Sequence, residues 1–271
     1  MKFKVVIVIY NSECEASKSI VSILNLNKRC VELVVCDNST KAEMTKKNEQ
    51  FCKIQKVHYI NMQGNAGLSK AYNRALLPIS SDQWVVLFDQ DTIVNPTYFA
   101  ELEKSILVYP NTYIHVPIVK SKEVQISPCV MKGHVVKRMT VTNYGLYSNI
   151  TAINTGMAIK ASVFDETGNY NEMIFMDYLD HDFIRNFKKY YNDIAVFNCI
   201  LEQEFSDHDH SNIKTDIARF MIYKKDFSVF CRDNLSGHIY YTCKIIYRTL
   251  KLTVYHKSLV FIKKLLEVPL K

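Results

Sequence analysis

Trp84-Val85-Val86-Leu87-Phe88-Asp89-Gln90-Asp91 decides how this 271-residue chain is read. Five apolar residues stop at two carboxylates one residue apart. A short apolar run closed by turn formers marks a strand buried on both faces. Two similar runs precede it. Val5-Val6-Ile7-Val8-Ile9-Tyr10 stops at Asn11-Ser12, and Val31-Glu32-Leu33-Val34-Val35-Cys36 stops at Asp37-Asn38-Ser39. Between the runs lie a helical stretch at 14–26, with Ile20, Ile23 and Leu24 on one side, and a polar helix at 41–52. A strand near 57–61 follows, and Gly64-Asn65-Ala66-Gly67 opens a helix over 68–77. This alternation predicts a parallel α/β sheet with right-handed crossovers. Ligands bind beyond the carboxyl ends of strands in such sheets, so the three polar clusters predict one shared site. Helix capping accounts for any one cluster; three of them, with an acidic pair, favour a site.

Composition narrows the class. Hydrophobic residues make up 48% of the chain and charged ones 23%, enough to bury a core and too apolar for a disordered protein. No segment reaches the roughly 18 unbroken apolar residues of a membrane span. Eight cysteines form no C-x-x-C pair, and several sit inside apolar runs, which reads as reduced core thiols in a cytoplasmic protein. The first apolar run is too short for a signal peptide's core and lacks a small-residue cleavage site.

Beyond residue 100 the rhythm loosens. A helix is expected at 97–108, strands at 113–119 and 135–144, and a buried strand over 151–160 that turns at Asn154-Thr155-Gly156. Acidic residues crowd 172–182, and an Arg-, Lys- and Tyr-rich helix starts near 216.

Two carboxylates at a strand end can hold a divalent cation, and oxygen ligands of this kind suit Mg²⁺ or Mn²⁺. Asp89-Gln90-Asp91-Thr92 also approaches the nucleophile motif of haloacid-dehalogenase phosphatases. Those place the motif on their first strand and need a later Gly-Asp pair, which this chain lacks.

Taken in order, the motifs resemble the inverting nucleotide-sugar glycosyltransferases of family 2, rhamnosyltransferase-like branch. They are Val6–Asn11, Val34–Ser39, Asn65-Ala66-Gly67-Leu68-Ser69-Lys70-Ala71-Tyr72-Asn73, Leu87–Asp91, Asn154-Thr155-Gly156 and Phe175-Met176-Asp177-Tyr178-Leu179-Asp180-His181-Asp182. The resemblance implies a GT-A fold: a Rossmann-like mixed sheet flanked by helices, with a C-terminal helical extension. It implies nucleotide contacts at Tyr10 and Asn11, and an Asp37 that accepts the N3–H of uracil or thymine. Asn65, Gly67, Lys70, Asn73 and Gln90 complete the nucleotide-sugar side, and Asn154, Thr155 and Gly156 face the acceptor. Asp91 and Asp89 would hold Mn²⁺ or Mg²⁺ against the leaving diphosphate. A second carboxylate must take the acceptor's proton. Asp177 is the first candidate and Asp180 the second, because residues i and i+3 share a helical face. Asp182 points elsewhere and suits Arg185. The pattern departs from the family at Gln203, where a metal-binding His is expected; His208 and His210 follow in a polar run.

From Ser236 onward Ile239, Cys243, Ile246, Leu250, Val254, Phe261 and Leu265 recur near helical spacing, with Lys and Arg between them. Residues 236–271 carry seven Lys/Arg and one acid, a net of +6 out of the formal +7, so the rest of the chain is nearly neutral. The expected division is therefore a glycosyltransferase domain at 1–235, with a nucleotide-sugar half (1–110) and an acceptor half (111–235), followed by a basic amphipathic tail at 236–271. That tail suits the inner face of a bacterial membrane; packing on the catalytic domain or on a second copy in a homodimer is the other reading. No nucleic-acid module accompanies it. The expected function is transfer of a sugar, rhamnose first, from a dTDP- or UDP-sugar to a lipid-linked acceptor in surface polysaccharide synthesis. The alternative is a catalytically silent nucleotide-sugar-binding subunit.

Overall fold

A computed structural model of the chain describes residues 1–26, 30–77, 79–203 and 212–267. The strands are β1 (Phe3–Ile9), β2 (Val31–Asp37), β3 (His58–Asn61), β4 (Trp84–Asp89), β5 (Thr92–Ile93), β6 (Ile114–Ser121), β7 (Val124–Ser127), β8 (Cys129–Lys132), β9 (Val135–Arg138), β10 (Gly145–Tyr147), β11 (Ile150–Thr151), β12 (Met157–Lys160) and β13 (Ile194–Gln203). The helices are α1 (Lys18–Leu26), α2 (Ala42–Gln55), α3 (Leu68–Ala75), α4 (Tyr98–Val108), α5 (Ser162–Thr167), α6 (Leu179–Phe187), α7 (Ile213–Phe230), α8 (Leu235–His256) and α9 (Val260–Leu266).

The main sheet runs β10-β13-β6-β12-β4-β1-β2-β3. Its first half is parallel, as the alternating sequence predicts: β1 lies between β2 and β4, and β3 lies outside β2. The second half turns the sheet mixed. β12 runs antiparallel beside β4 and β6, and β13 returns parallel to β6. Alternate residues of the central strands face opposite layers. Val6, Val8, Val34, Cys36, Val85 and Leu87 pack with Ala71 and Tyr72 of α3 and with Phe183 and Phe187 of α6. Val5, Ile7, Val35, Val86 and Phe88 pack with Ile20 and Ile23 of α1 and with Phe99 and Leu102 of α4. Both faces of these strands are thus core, which is why their sequences read as unbroken apolar runs rather than alternating ones.

Two expectations are corrected here. The strand expected at 135–144 ends at Arg138, because its partner β8 begins at Cys129, directly after Pro128. A proline has no N–H to continue a ladder. Asp177 and Asp180 do not share a helical face. Tyr178 adopts φ 66° ahead of α6, so only Asp180 lies inside the helix.

The carboxyl-terminal helices fold back on α7. Phe261 stacks edge-on to Phe220 at 5.9 Å, and His256 Nε2 lies 2.6 Å from an Asp216 carboxylate oxygen. Lys224, almost fully buried, donates to the carbonyl oxygens of Lys264, Leu265 and Glu267 at the end of α9. The apolar stripe anticipated in the tail is therefore split. Phe261 is buried, and the inner face of α8 runs through Ile245, Thr249 and Leu252. Ile239, Ile246, Leu250 and Val254 face outward.

Candidate active site

The loops after β1, β2 and β4 meet at one end of the sheet. Tyr10 N–H donates to the side-chain oxygen of Gln90, and the Gln90 carbonyl accepts from the Ser17 hydroxyl. Asn11 sits at φ 47°; its N–H donates to Ser39 Oγ, and its side-chain oxygen accepts from the N–H and hydroxyl of Thr40. Asn38 reaches across to the Gly67 carbonyl, tying in the loop that opens α3. Tyr10 is largely exposed, so its ring is available at the rim.

Asp37 has no exposed surface. Its carboxylate accepts from Ser39 N–H, the Asn48 amide and the Tyr59 hydroxyl, all between 2.8 and 2.9 Å. It acts in this arrangement as the anchor of the loop after β2. Asn65 and Lys70 are exposed, as is Arg74. Gly67 and Asn73 turn instead toward residues 170–175. Leu68 N–H donates to the Phe175 carbonyl, Ser69 Oγ donates to that of Ile174, and the Asn73 amide pairs with Tyr170 backbone and the Glu172 carboxylate. Gly67 has φ 89°, and a Cβ there would lie 2.7 Å from the Phe175 ring. The helix-opening motif therefore clasps the acidic segment.

At the end of β4, Asp89 and Asp91 share one partner. Gln203, the last residue of β13, donates its side-chain amide to Asp89 at 2.7 Å and to Asp91 at 3.4 Å. Its other end, Oε1, is buried without a donor, an arrangement that costs about 1–3 kcal/mol. Burial, with the Asp91 charge adding to it and the Gln203 amide opposing, lifts the Asp89 carboxyl to about 7; Asp180 contributes a further upward push. Asp180 is thus within electrostatic reach of the pair. The donor set, two carboxylates and an orphaned amide oxygen, is hard and oxygen-only, which fits Mg²⁺ or Mn²⁺. Among the described residues no cluster of three or more His, Cys, Asp or Glu side chains could hold a metal. His208 and His210 lie outside the described residues. A cavity of about 660 Å³ opens beside Asp91 and Gln203, with Lys18, Lys120 and Lys122 on its walls.

Asn154, Thr155 and Gly156 are not open to this cavity. Thr155 Oγ1 accepts from Asp89 N–H and pairs with the Thr92 hydroxyl, both inside the protein. Asn154 accepts from the Tyr170 hydroxyl. Gly156 has φ 75°, and a Cβ there would meet Leu201 and Pro117 at 2.5 and 2.6 Å. This turn props the carboxylate end of β4.

The two base candidates separate. Both oxygens of Asp177 are engaged by Arg219 of α7, at 2.7 and 3.0 Å. Burial raises its carboxyl and Arg219 draws it part of the way back. Asp180 accepts from the N–H of His181, whose Nδ1 pairs with the Thr151 hydroxyl at 2.8 Å. Asp182 pairs with Arg185 at 2.6 Å, as its spacing suggests. Asp226, fully buried on α7, belongs to none of the sequence motifs. It accepts from the backbone N–H groups of Phe175, Met176 and Asp177 at 2.7 to 2.9 Å. The readable signal was its position: Asp226 lies on the same helical face as Tyr223, Phe227 and Phe230, where an acidic residue needs a partner.

Comparison with known proteins agrees with this geometry. The family model described as Glycosyl transferase family 2 matches residues 4–168, more than half of the chain. A dTDP-rhamnosyl transferase, RfbF of Shigella flexneri, is 25% identical over 182 residues, which cover 65% of this chain and 59% of the relative. Among solved structures, S. aureus TarS matches with a TM-score of 0.60 at 17% identity over 84% of this chain and 40% of its own. A 1–349 form of TarS in complex with UDP matches with a TM-score of 0.59 at 14% identity, over 84% and 66%. The chain thus spans well under two thirds of the rhamnosyl transferase's length, and at these identities TarS bears on the fold alone. A mixed GT-A sheet, three loops converging on an Asp-x-Asp pair and the match over residues 4–168 place this chain in glycosyl transferase family 2.

Proposed function

We propose that the protein is a metal-dependent inverting glycosyltransferase. It moves a sugar, rhamnose in the first instance, from a dTDP- or UDP-sugar to a lipid-linked glycan acceptor in bacterial surface polysaccharide synthesis of the capsule or O-antigen type. The observation that carries the reading is the Asp89–Asp91 pair at the end of β4, bridged by the Gln203 amide beside an open cavity. The relative's name supports the donor.

Asp91 and Asp89 would hold Mn²⁺ or Mg²⁺, whose charge would offset that of the leaving diphosphate. The nucleotide lies toward Tyr10 and Asn11. A base contact to Asp37 requires one of its present partners, Ser39 N–H, the Asn48 amide or the Tyr59 hydroxyl, to give way, since its oxygens are enclosed. Asp180 takes the proton of the acceptor hydroxyl, whose oxygen attacks C1 in line and inverts it; the bonding pair leaves with the nucleoside diphosphate. Asp177 is the positioning residue, because its carboxylate is committed to Arg219. Base help of this kind is worth ~10²–10⁴ in rate. With donor, acceptor and Mn²⁺, Asp180→Asn is expected to lose at least 100-fold in kcat at unchanged donor KM, and Asp177→Asn to lose less. The reverse order would return the base role to Asp177.

The division at residue 236 has a functional meaning in this reading. No helix among the described residues is long and apolar enough to cross a membrane. The outward face of α8, through Ile246, Leu250 and Val254, is interleaved with Lys244 and Lys251, and Lys257 follows at its end. That pattern suits an anionic lipid surface at the inner face of the membrane, where each basic residue adds ~1 kcal/mol. An Ile246→Glu, Leu250→Glu, Val254→Glu triple variant is expected to stay folded and to stop sedimenting with phosphatidylglycerol vesicles. Retained sedimentation refutes the surface, and a change in mass instead points to a homodimer.

A further inference from the structure

Gln203 places a carboxamide between two carboxylates. The two ends of an amide are nearly the same shape, and a half-turn about the last torsion of Gln exchanges nitrogen and oxygen at small cost. Which end faces inward is therefore set by what holds each end. The Nε2 end is held by Asp89 and Asp91, whereas the Oε1 end is buried with no donor to keep it there. Two carboxylates by themselves select the NH₂ group. A divalent cation seated on them selects the oxygen, a neutral hard ligand of the kind Mg²⁺ and Mn²⁺ accept.

We infer that Gln203 is the third protein ligand of the cation site and sets its metal preference: Nε2 bridges the Asp pair before loading, and Oε1 turns in when the cation arrives. The inference rests on the metal-dependent reading above. Its chemistry has a consequence that a nitrogen ligand at residue 203 would not share. An oxygen-only set gives Ni²⁺ a smaller advantage over Mg²⁺ and Mn²⁺ than a set with an imidazole at the same place, which draws Ni²⁺ and similar ions. The Thr155 and Thr92 hydroxyls beneath Asp89 fix the backbone end of the pair, and Gln203 is fixed by β13 pairing with β5 at Thr92. The amide is thus the part of the arrangement whose two ends can exchange without moving the backbone.

The test is calorimetric titration of the full chain, in the presence of UDP, with MgCl₂, MnCl₂ and NiCl₂, for the native protein, Gln203→Leu, Gln203→His and Asp91→Asn. Gln203→Leu is expected to bind Mg²⁺ and Mn²⁺ at least tenfold more weakly. Gln203→His is expected to raise Ni²⁺ affinity relative to Mg²⁺ at least tenfold. In the native protein the Gln203 side-chain ¹⁵N–¹H resonances should shift on adding MgCl₂, a reading that needs no variant to fold. Mn²⁺ binding by Gln203→Leu as tight as native, or tighter, overturns the inference, since the amide would then be only a competitor for the carboxylates. If that occurs while Asp91→Asn loses the metal, the metal-dependent reading survives. If the native protein binds none of the three ions, both fall.

Discussion

Replacing Asp226 by Asn tests whether α7 fixes the acidic segment. The change is nearly isosteric, so no cavity confuses the result. The Asp226 carboxylate accepts three backbone N–H groups, one on Oδ1 from Phe175 and two on Oδ2 from Met176 and Asp177. An amide keeps a single oxygen. Placed toward Met176 and Asp177, it preserves two bonds but turns them neutral, which weakens each by about 1 kcal/mol. Its NH₂ then faces the Phe175 N–H, donor against donor, at a fully buried position. An unsatisfied buried donor costs about 1–3 kcal/mol. Together the loss is about 3–5 kcal/mol, a large share of the roughly 5–15 kcal/mol that holds a domain. At roughly 2–3 °C per kcal/mol the melting temperature should fall by about 6–15 °C. The functional effect is separate. At a temperature where the variant stays folded, kcat should fall about 10–100-fold, part of what base positioning supplies. Donor KM should hold, because Asp226 touches none of the loops after β1, β2 and β4. Differential scanning calorimetry and a transfer assay read the two effects. A melt within 2 °C of native with kcat unchanged would refute the idea that these three bonds fix the segment.

Gly67→Ala probes the same segment from the opposite side. With φ 89° and ψ 163°, a conformation nearly reserved for glycine, and Phe175 Cδ2 only 2.7 Å from the new Cβ, it should cost about 2–5 kcal/mol; chemical unfolding checks this. His115 is fully buried between Ser105 and the Thr112 carbonyl, and burial draws its pKa down to about 4. Because the folded value lies below the unfolded one near 6.5, stability is present in full above pH 6.5 and declines as pH falls toward 4, by about 3 kcal/mol from this group. His115→Leu should remove that part of the slope in melts taken between pH 7 and 4.5. Gly156→Ala should destabilise by a few kcal/mol, since its Cβ would strike Leu201 and Pro117 with no room on either side; an unchanged urea midpoint would refute that close approach.

How far the sequence could be read follows from where each constraint acts. The strands β1, β2 and β4 were legible because both their faces are core, which leaves continuous apolar runs that stop at polar residues. The end of β9 was not, because it depends on Pro128, just before the partner strand β8, rather than on its own residues. The Asp89–Asp91 pair could be found from its place at a strand end. Gln203 could be noticed only as an amide standing where histidine was expected; its double contact joins positions more than a hundred residues apart. Gly67 and Asn73 were expected on the nucleotide-sugar side and Thr155 on the acceptor side. Their work, though, is done against Phe175, Tyr170 and the Asp89 backbone, and no local pattern carries those pairings.

The same contacts explain why the acidic segment can serve chemistry while lying between two halves of the molecule. From one side α3 holds residues 170–175 through Ser69, Asn73 and the close approach at Gly67. From the other, α7 holds residues 175–177 through Asp226 and Arg219. Asp177 is the last residue so held, and the left-handed turn at Tyr178 follows at once. Its ring stacks on Phe227 and Phe230 at 4.8 and 4.9 Å, which offsets the cost of that backbone conformation. The first carboxylate past the clamp is Asp180. A base must be held at its backbone yet keep an oxygen for the substrate. Asp177 spends both oxygens on its clamp, whereas Asp180 inherits the clamp's rigidity and spends one contact on its neighbour's N–H. The proposed division of labour, with Asp177 fixing the chain and Asp180 meeting the acceptor, would follow from the order of the residues along a segment gripped at its start.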